Sequence, residues 1–184
     1  MQVYSGNQQE LPVGLYSDIA RFRHMVFVER LGWSLQTVAD TEQDQFDRPD
    51  TVYVVAKNDE GAVFGCARLL PTTRPYLLGE IFPELLNGMP PPCSNDIWEL
   101  SRFAAVDFSA KHTSALGQFS SEIAIQLLQA AIQCAGEHGA KELITVSPIG
   151  IERLLRRAGF RARRAGPPMV IDGHPIFACL IQVS

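Results

Sequence analysis

Glutamate and arginine rarely share an apolar strand-like run, because burial strips water from both charges. Residues 97–106 read IWELSRFAAV and hold the pair Glu99 and Arg102. In a simple strand Arg102 shares a face with Trp98 and Leu100, while Glu99 lies opposite with Ser101 and Phe103. A β-bulge between them would reverse that parity, bring carboxylate and guanidinium to one side, and free backbone N–H and C=O groups for a ligand. The alternative is an edge strand that leaves both charges in solvent.

Three further groupings carry chemistry. Arg23 and Phe27 lie one helical turn apart within the stripe Leu15, Ile19, Phe22, Val26 and Leu31, so a charge and an aromatic ring address one site. Residues 34–50 are polar and aperiodic and hold Asp40, Glu42, Asp44, Asp47 and Asp50, a cluster suited to a cation, either a metal or an amine. The run D-Q-F-D lacks the oxygen-ligand spacing and central glycine of a calcium loop, which disfavours metal. Because that loop is polar, Asp44 and Asp47 are expected to serve a ligand rather than the fold. Arginines 153, 156, 157, 161, 163 and 164 follow one another with no acidic residue among them, in a chain of net charge −4. They form either a docking face for something anionic or a solvated helix face; nucleic acid finds little support in the overall charge.

The elements that must position these groups are legible from period and turn chemistry. A short strand is expected at 2–5, an amphipathic helix at 15–31, and an antiparallel hairpin from 51–57 and 62–70 around Asn58-Asp59-Glu60-Gly61. A short helix within 77–86 and the prolines at 90–92 lead into the 97–106 strand. A helix at 120–138 capped by Ser120 or Ser121, a buried strand at 143–146, a helix at 150–158 and two strands around 170–171 and 176–183 complete the chain. The fold class is α/β: a mixed, mostly antiparallel sheet sandwiched by helices.

Length and composition fit one globular domain over 1–184, with 46% hydrophobic and 20% charged residues. No apolar run approaches the roughly 20 residues of a membrane span, and the N-terminus lacks the pattern of a signal peptide, so a cytoplasmic protein is expected. The four cysteines are scattered, which argues against a zinc or disulfide framework. Dinucleotide and phosphate-loop glycine motifs and a G-x-S-x-G elbow are absent, and the histidines lack an evident nucleophile partner.

Six stretches in order resemble the acyl-homoserine-lactone synthases, the LuxI-type autoinducer synthases of bacterial quorum sensing. They are R-x-x-x-F at Arg23 and Phe27, Gly32-Trp33, D-Q-F-D at 44–47, C-A-R-L-L-P-T-T at 66–73, W-E-L-S-R-F at 98–103 and E-R-L-L-R-R-A-G-F at 152–160. The resemblance implies an N-acetyltransferase-like fold and two substrates, S-adenosylmethionine and an acyl thioester on acyl carrier protein or CoA. The amine is acylated, and the carboxylate then closes the lactone and expels methylthioadenosine, with no metal and no cofactor. It further implies that Arg23, Phe27, Trp33, Asp44, Asp47, Arg68 and Arg102 receive S-adenosylmethionine. Glu99 would take the ammonium proton, and backbone N–H groups near Ser101 to Phe103 would polarise the thioester. Arg68 would neutralise Glu99 or an aspartate. The acyl chain would be lined by Leu127, Thr145, Ser147, Ile149, Leu155 and Met169, with Thr145 or Ser147 reading an oxygenated chain. Arg153, Arg156 and Arg157 would dock the acidic carrier protein. The competing readings are an acetyl-CoA-dependent acetyltransferase, whose Q/R-x-x-G-x-G/A signature is missing before Ser120, and a signal-binding module without catalysis.

Overall fold

Alternating β-branched and aromatic residues, broken by Asn, Asp, Gly and Pro, build most of the strands. A computed structural model describes residues 1–106 and 122–183. In chain order it contains β1 (Gln2–Gly6), α1 (Leu15–Arg23), a π-helical stretch (His24–Arg30), β2 (Thr37–Val38), β3 (Thr41–Glu42), β4 (Val52–Lys57) and β5 (Val63–Pro71). There follow α2 (Leu77–Ile81), a 3-10 turn (Pro83–Leu86), β6 (Ile97–Ala105), α3 (Glu122–Glu137), β7 (Glu142–Pro148), α4 (Ile151–Arg157), β8 (Ala162–Arg164), β9 (Met169–Ile171) and β10 (His174–Gln182). The sheet is mixed and mostly antiparallel, with β6 pairing parallel to β7, as the α/β reading expected. Among the described residues no helix is long and apolar enough to cross a membrane.

The chain packs as two compact units, one of Met1–Arg68 with Arg102–Ala131 and one of Leu69–Ser101 with Ile132–Ser184. In the first, β1 pairs antiparallel with β4, and the β4–β5 hairpin turns where Asn58 Oδ1 accepts the N–H groups of Glu60 and Ala62, with Gly61 left-handed. Val52 to Ala56 are buried without alternation, so both faces of β4 are covered. Leu15, Ile19, Phe22 and Val26 seat α1 and its extension against Tyr53, Val55 and Val106. The expected single α-helix over 15–31 instead widens at His24 into π geometry, and Trp33 N–H reaches back to the Phe27 carbonyl at 2.9 Å. Each wider turn moves the inward face by one residue, and both Arg23 and Phe27 end up buried.

In the second unit β7 pairs with β10, and β10 takes β8 and β9 as further neighbours. The β9–β10 turn runs through Asp172 and Gly173 at φ 50° and 80°, the left-handed pair that a two-residue hairpin needs. A Cβ at Gly166 would collide with the Leu85 carbonyl, so only glycine permits that approach. Strand β8 was not foreseen from the sequence, because its three residues, all exposed, carry no alternating pattern. The helix cap expected at Ser120 or Ser121 lies outside the described residues.

Candidate active site

The loop of residues 34–50 is pinned rather than free. Strands β2 and β3 pair within it, and D-Q-F-D folds on itself: Asp44 Oδ1 accepts the Phe46 N–H at 2.9 Å, and Asp47 Oδ2 accepts the Asp44 N–H at 2.8 Å. Buried Thr51 donates to the Phe46 carbonyl at 2.6 Å and accepts the Arg48 N–H at 2.9 Å. These local bonds aim the loop's carboxylates at three arginines from separate elements.

Arg23 on α1 forks onto Asp47 at 2.7 and 3.0 Å and places Nε 2.6 Å from Glu42. Arg68 on β5 reaches Asp44 at 2.6 Å and Asp47 at 3.3 Å. Arg102 on β6 meets Glu42 at 3.0 and 3.2 Å and Asp44 at 2.9 Å. Tyr53 donates a fourth kind of contact to Asp47, at 2.8 Å. Glu42, Asp44 and Asp47 thus face Arg23, Arg68 and Arg102 in one cluster of buried ion pairs.

That arrangement separates the two aspartates, which the sequence treats alike. The Asp47 side chain is only 2% exposed and takes donors from Arg23, Arg68, Tyr53 and the Asp44 backbone, so it is a hub of the fold. Asp44, at 12%, is the cluster's most accessible carboxylate. Glu42 bridges two arginines and was not singled out from the sequence; its only signal was its place in the acidic loop two residues before Asp44. Arg68 neutralises aspartates, one of the two partners foreseen for it.

Burial by itself would raise the Asp47 carboxyl, but Arg23, with Arg68 behind it, overrides this and holds it well below the usual carboxylate range. Glu42 is likewise lowered, burial being outweighed by Arg23 and Arg102. Both folded-state values lie below the unfolded ones, about 3.9 for Asp and 4.3 for Glu. The stabilisation they supply is therefore complete above pH of about 5 and is lost as pH falls through the folded-state values. Thermal unfolding followed from pH 7 to 2.5 should show a flat melting temperature to about pH 5 and a steep fall below 4. A melting temperature unchanged down to pH 3 would mean the cluster does not support the fold.

Phe27 carries Trp33 stacked at 5.0 Å between centroids and 23° between planes, and the Arg102 guanidinium stands 5.8 Å from the Phe27 ring. Trp33 is 37% exposed, so this aromatic shelf opens outward beside a buried charge cluster. Thus Arg23, Phe27, Trp33, Asp44, Asp47, Arg68 and Arg102 are brought together within the first unit.

Strand β6 breaks its alternation as expected: Glu99, Leu100, Ser101 and Arg102 are buried in succession, and Arg102 has φ 49°, left-handed for a residue with a side chain. The ladder resumes where Val106 N–H reaches the Phe64 carbonyl at 2.7 Å, and Phe103 is half-buried. Glu99 holds two backbone amides. Its Oε1 accepts the Leu78 N–H at 2.6 Å and its Oε2 the Leu77 N–H at 3.0 Å, so the fully buried carboxylate anchors the start of α2.

On β7, Thr145 and Ser147 share a face two residues apart, each 6% exposed, with hydroxyl oxygens 3.4 Å apart. Leu127 and Leu155 are buried, and Ile149 and Met169 are 40% and 38% exposed. Ile149 lies in the turn between β7 and α4, and Met169 opens β9. Arg153, Arg156, Arg157 and Arg161 are exposed, without an ion pair among the described residues. Arg163 and Arg164 differ from expectation. They sit on β8 and are spent on Glu142 at 2.7 Å and on Glu152 at 2.6 and 2.7 Å.

The autoinducer synthase family profile matches residues 7–184. An acyl-homoserine-lactone synthase of Acinetobacter nosocomialis is 60% identical over 183 residues, covering 100% of both chains. The crystal structure of TofI in a ternary complex with an inhibitor and MTA superposes with a TM-score of 0.84 at 43% identity, covering 100% of this chain and 92% of that one. An N-acetyltransferase structure from Lactobacillus plantarum, at 16% identity and a TM-score of 0.66 over 100% of this chain and 98% of that one, shares the fold alone. With the arginine–carboxylate cluster, the aromatic shelf and the bulged strand in place, the chain belongs to the autoinducer synthase family and is an acyl-homoserine-lactone synthase, a transferase.

Proposed function

We propose that the enzyme acylates the amine of S-adenosylmethionine from an acyl thioester carried by acyl carrier protein, in the cytoplasm, and then lactonises the product. The observation that carries this reading is the aromatic shelf of Phe27 and Trp33 beside Asp44 and Arg102. Cationic sulfonium favours an aromatic face, ammonium favours the one accessible carboxylate, and the substrate carboxylate favours a guanidinium. Similarity to TofI, which holds MTA, supports the nucleotide assignment.

The amine must lose a proton before it attacks. Glu99 is the proposed acceptor: its carboxylate is fixed by the α2 amides, one on each oxygen, at 2.6 and 3.0 Å. Nitrogen then bonds to the acyl carbon, the thioester C–S bond breaks, and the thiol leaves with a proton. Backbone N–H groups around Ser101 to Phe103 are proposed to hold the oxyanion. In the second step a carboxylate oxygen bonds to the γ-carbon and the C–S bond of the sulfonium breaks, releasing methylthioadenosine. Both steps are redox-neutral and balance without a metal or cofactor. The Thr145 and Ser147 hydroxyls are proposed to read a polar group on the acyl chain.

Carrier protein is favoured over CoA by Arg153, Arg156 and Arg157, a cationic surface at α4 for a strongly acidic partner. Methylthioadenosine release on mixing the enzyme with S-adenosylmethionine and acyl-carrier protein tests the reaction. Reversing Arg156 and Arg157 to glutamate should raise the KM for acyl-carrier protein about tenfold or more, since charge reversal alters steering and specificity, and leave acyl-pantetheine within about twofold. Equal losses with both donors, or carrier-protein turnover indifferent to salt, would remove this face as the docking site.

A further inference from the structure

Arg102 is gripped at both ends. Its guanidinium meets Glu42 and Asp44, and its own carbonyl oxygen accepts a hydrogen bond from the Cys66 thiol at 3.2 Å. A left-handed backbone is disfavoured for any residue with a Cβ, and a bulge takes its carbonyl out of the regular ladder, so something else must hold both. Cys66 is placed to do so. It lies two residues before Arg68 on the same face of β5, is 1% exposed, and packs with Phe27, Ala104 and Val106. Burial pushes its thiol up to about 12, helped by the charge of Glu42, so the sulfur keeps its proton. A protonated thiol is a donor and an inert one.

We infer that Cys66 is a positioning residue: its S–H bond to the Arg102 carbonyl holds the bulge, and thereby sets where the Arg102 guanidinium stands above Phe27. The inference rests on the reading that Arg102 receives the carboxylate of S-adenosylmethionine.

Two substitutions separate hydrogen bonding from packing. Cys66→Ser keeps a donor in a slightly smaller side chain, and Cys66→Val fills the space without one; Cys66→Ala replaces the latter if valine does not fit. Steady-state kinetics at a temperature where circular dichroism shows every variant folded should give Cys66→Ser constants within about twofold of wild type. Cys66→Val should raise the KM for S-adenosylmethionine about tenfold with the acyl-donor KM nearly unchanged, since a displacement of about 1 Å at a positioning group has effects of this order or larger. Valine and serine variants that behave alike, whether both active or both impaired, would overturn the inference. Calorimetric titration of Arg102→Gln with S-adenosylmethionine tests the underlying reading separately. Unchanged binding there defeats that reading, whereas lost binding there with a wild-type Cys66→Val defeats only the role of Cys66.

Discussion

Replacing Glu99 with glutamine is expected to cut amide formation by about a hundredfold or more, the scale of a lost general base, and to destabilise the protein at the same time. A hundredfold loss corresponds to about 2.7 kcal/mol in the barrier. Glutamine retains one acceptor oxygen, but Glu99 uses both of its oxygens, at 2.6 and 3.0 Å, on the amides of Leu78 and Leu77. The side-chain NH2 would therefore face a backbone N–H, leaving a buried donor unsatisfied at a cost of about 1–3 kcal/mol. Denaturant unfolding measures the second effect, and methylthioadenosine release at a temperature where the variant is folded measures the first. Turnover within a fewfold of wild type with unchanged pH dependence, together with reduced stability, would leave Glu99 as an anchor for α2 and pass the proton to another group.

Asp47→Asn should produce the larger loss of stability, about 3–5 kcal/mol, because it strips a buried ion pair of one partner. Arg23 would keep Glu42 but lose its forked contact, and Arg68 would lose Asp47 while keeping Asp44. Against a total stability of about 5–15 kcal/mol this is a severe change. The same substitution three residues earlier should behave differently. Asp44 is more accessible, so Asp44→Asn is expected to keep most of the stability and to weaken S-adenosylmethionine binding. Urea unfolding and calorimetric titration of both variants check the contrast. If Asp47→Asn unfolds at the wild-type urea concentration while binding the nucleotide more weakly, Asp47 is a ligand rather than a hub.

Several elements were legible because they rest on local chemistry. The β4–β5 hairpin follows from two β-rich runs around Asn58 to Gly61, and the β9–β10 turn from Asp172-Gly173. The break in β6 was one of two readings: charges of opposite parity in an apolar strand call for a break in alternation or for an edge strand in solvent, and both charges are buried. The π-helical widening after Arg23 was not legible, since apolar spacings of three and four fit an α-helix equally well. The extra residue per turn is decided by what Phe27 and Trp33 pack against.

Residue types and their order alone determined the family, the fold class and the membership of most of the charge cluster, because each motif carries its chemistry within a few residues. Tertiary structure decided what each charge does. Glu42 reaches Arg102 across 60 positions, and Arg68 reaches Asp44 across 24, distances over which no periodicity constrains a partner. Asp44 and Asp47 are the same residue type in one short loop, yet one is a sealed hub and the other an accessible edge. Glu99 turned to the amides of α2, a choice set by the helix that arrives beside it. Desolvation and pairing depend on which side chains meet after folding, and those meetings are written in the packing rather than in the order of residues along the chain.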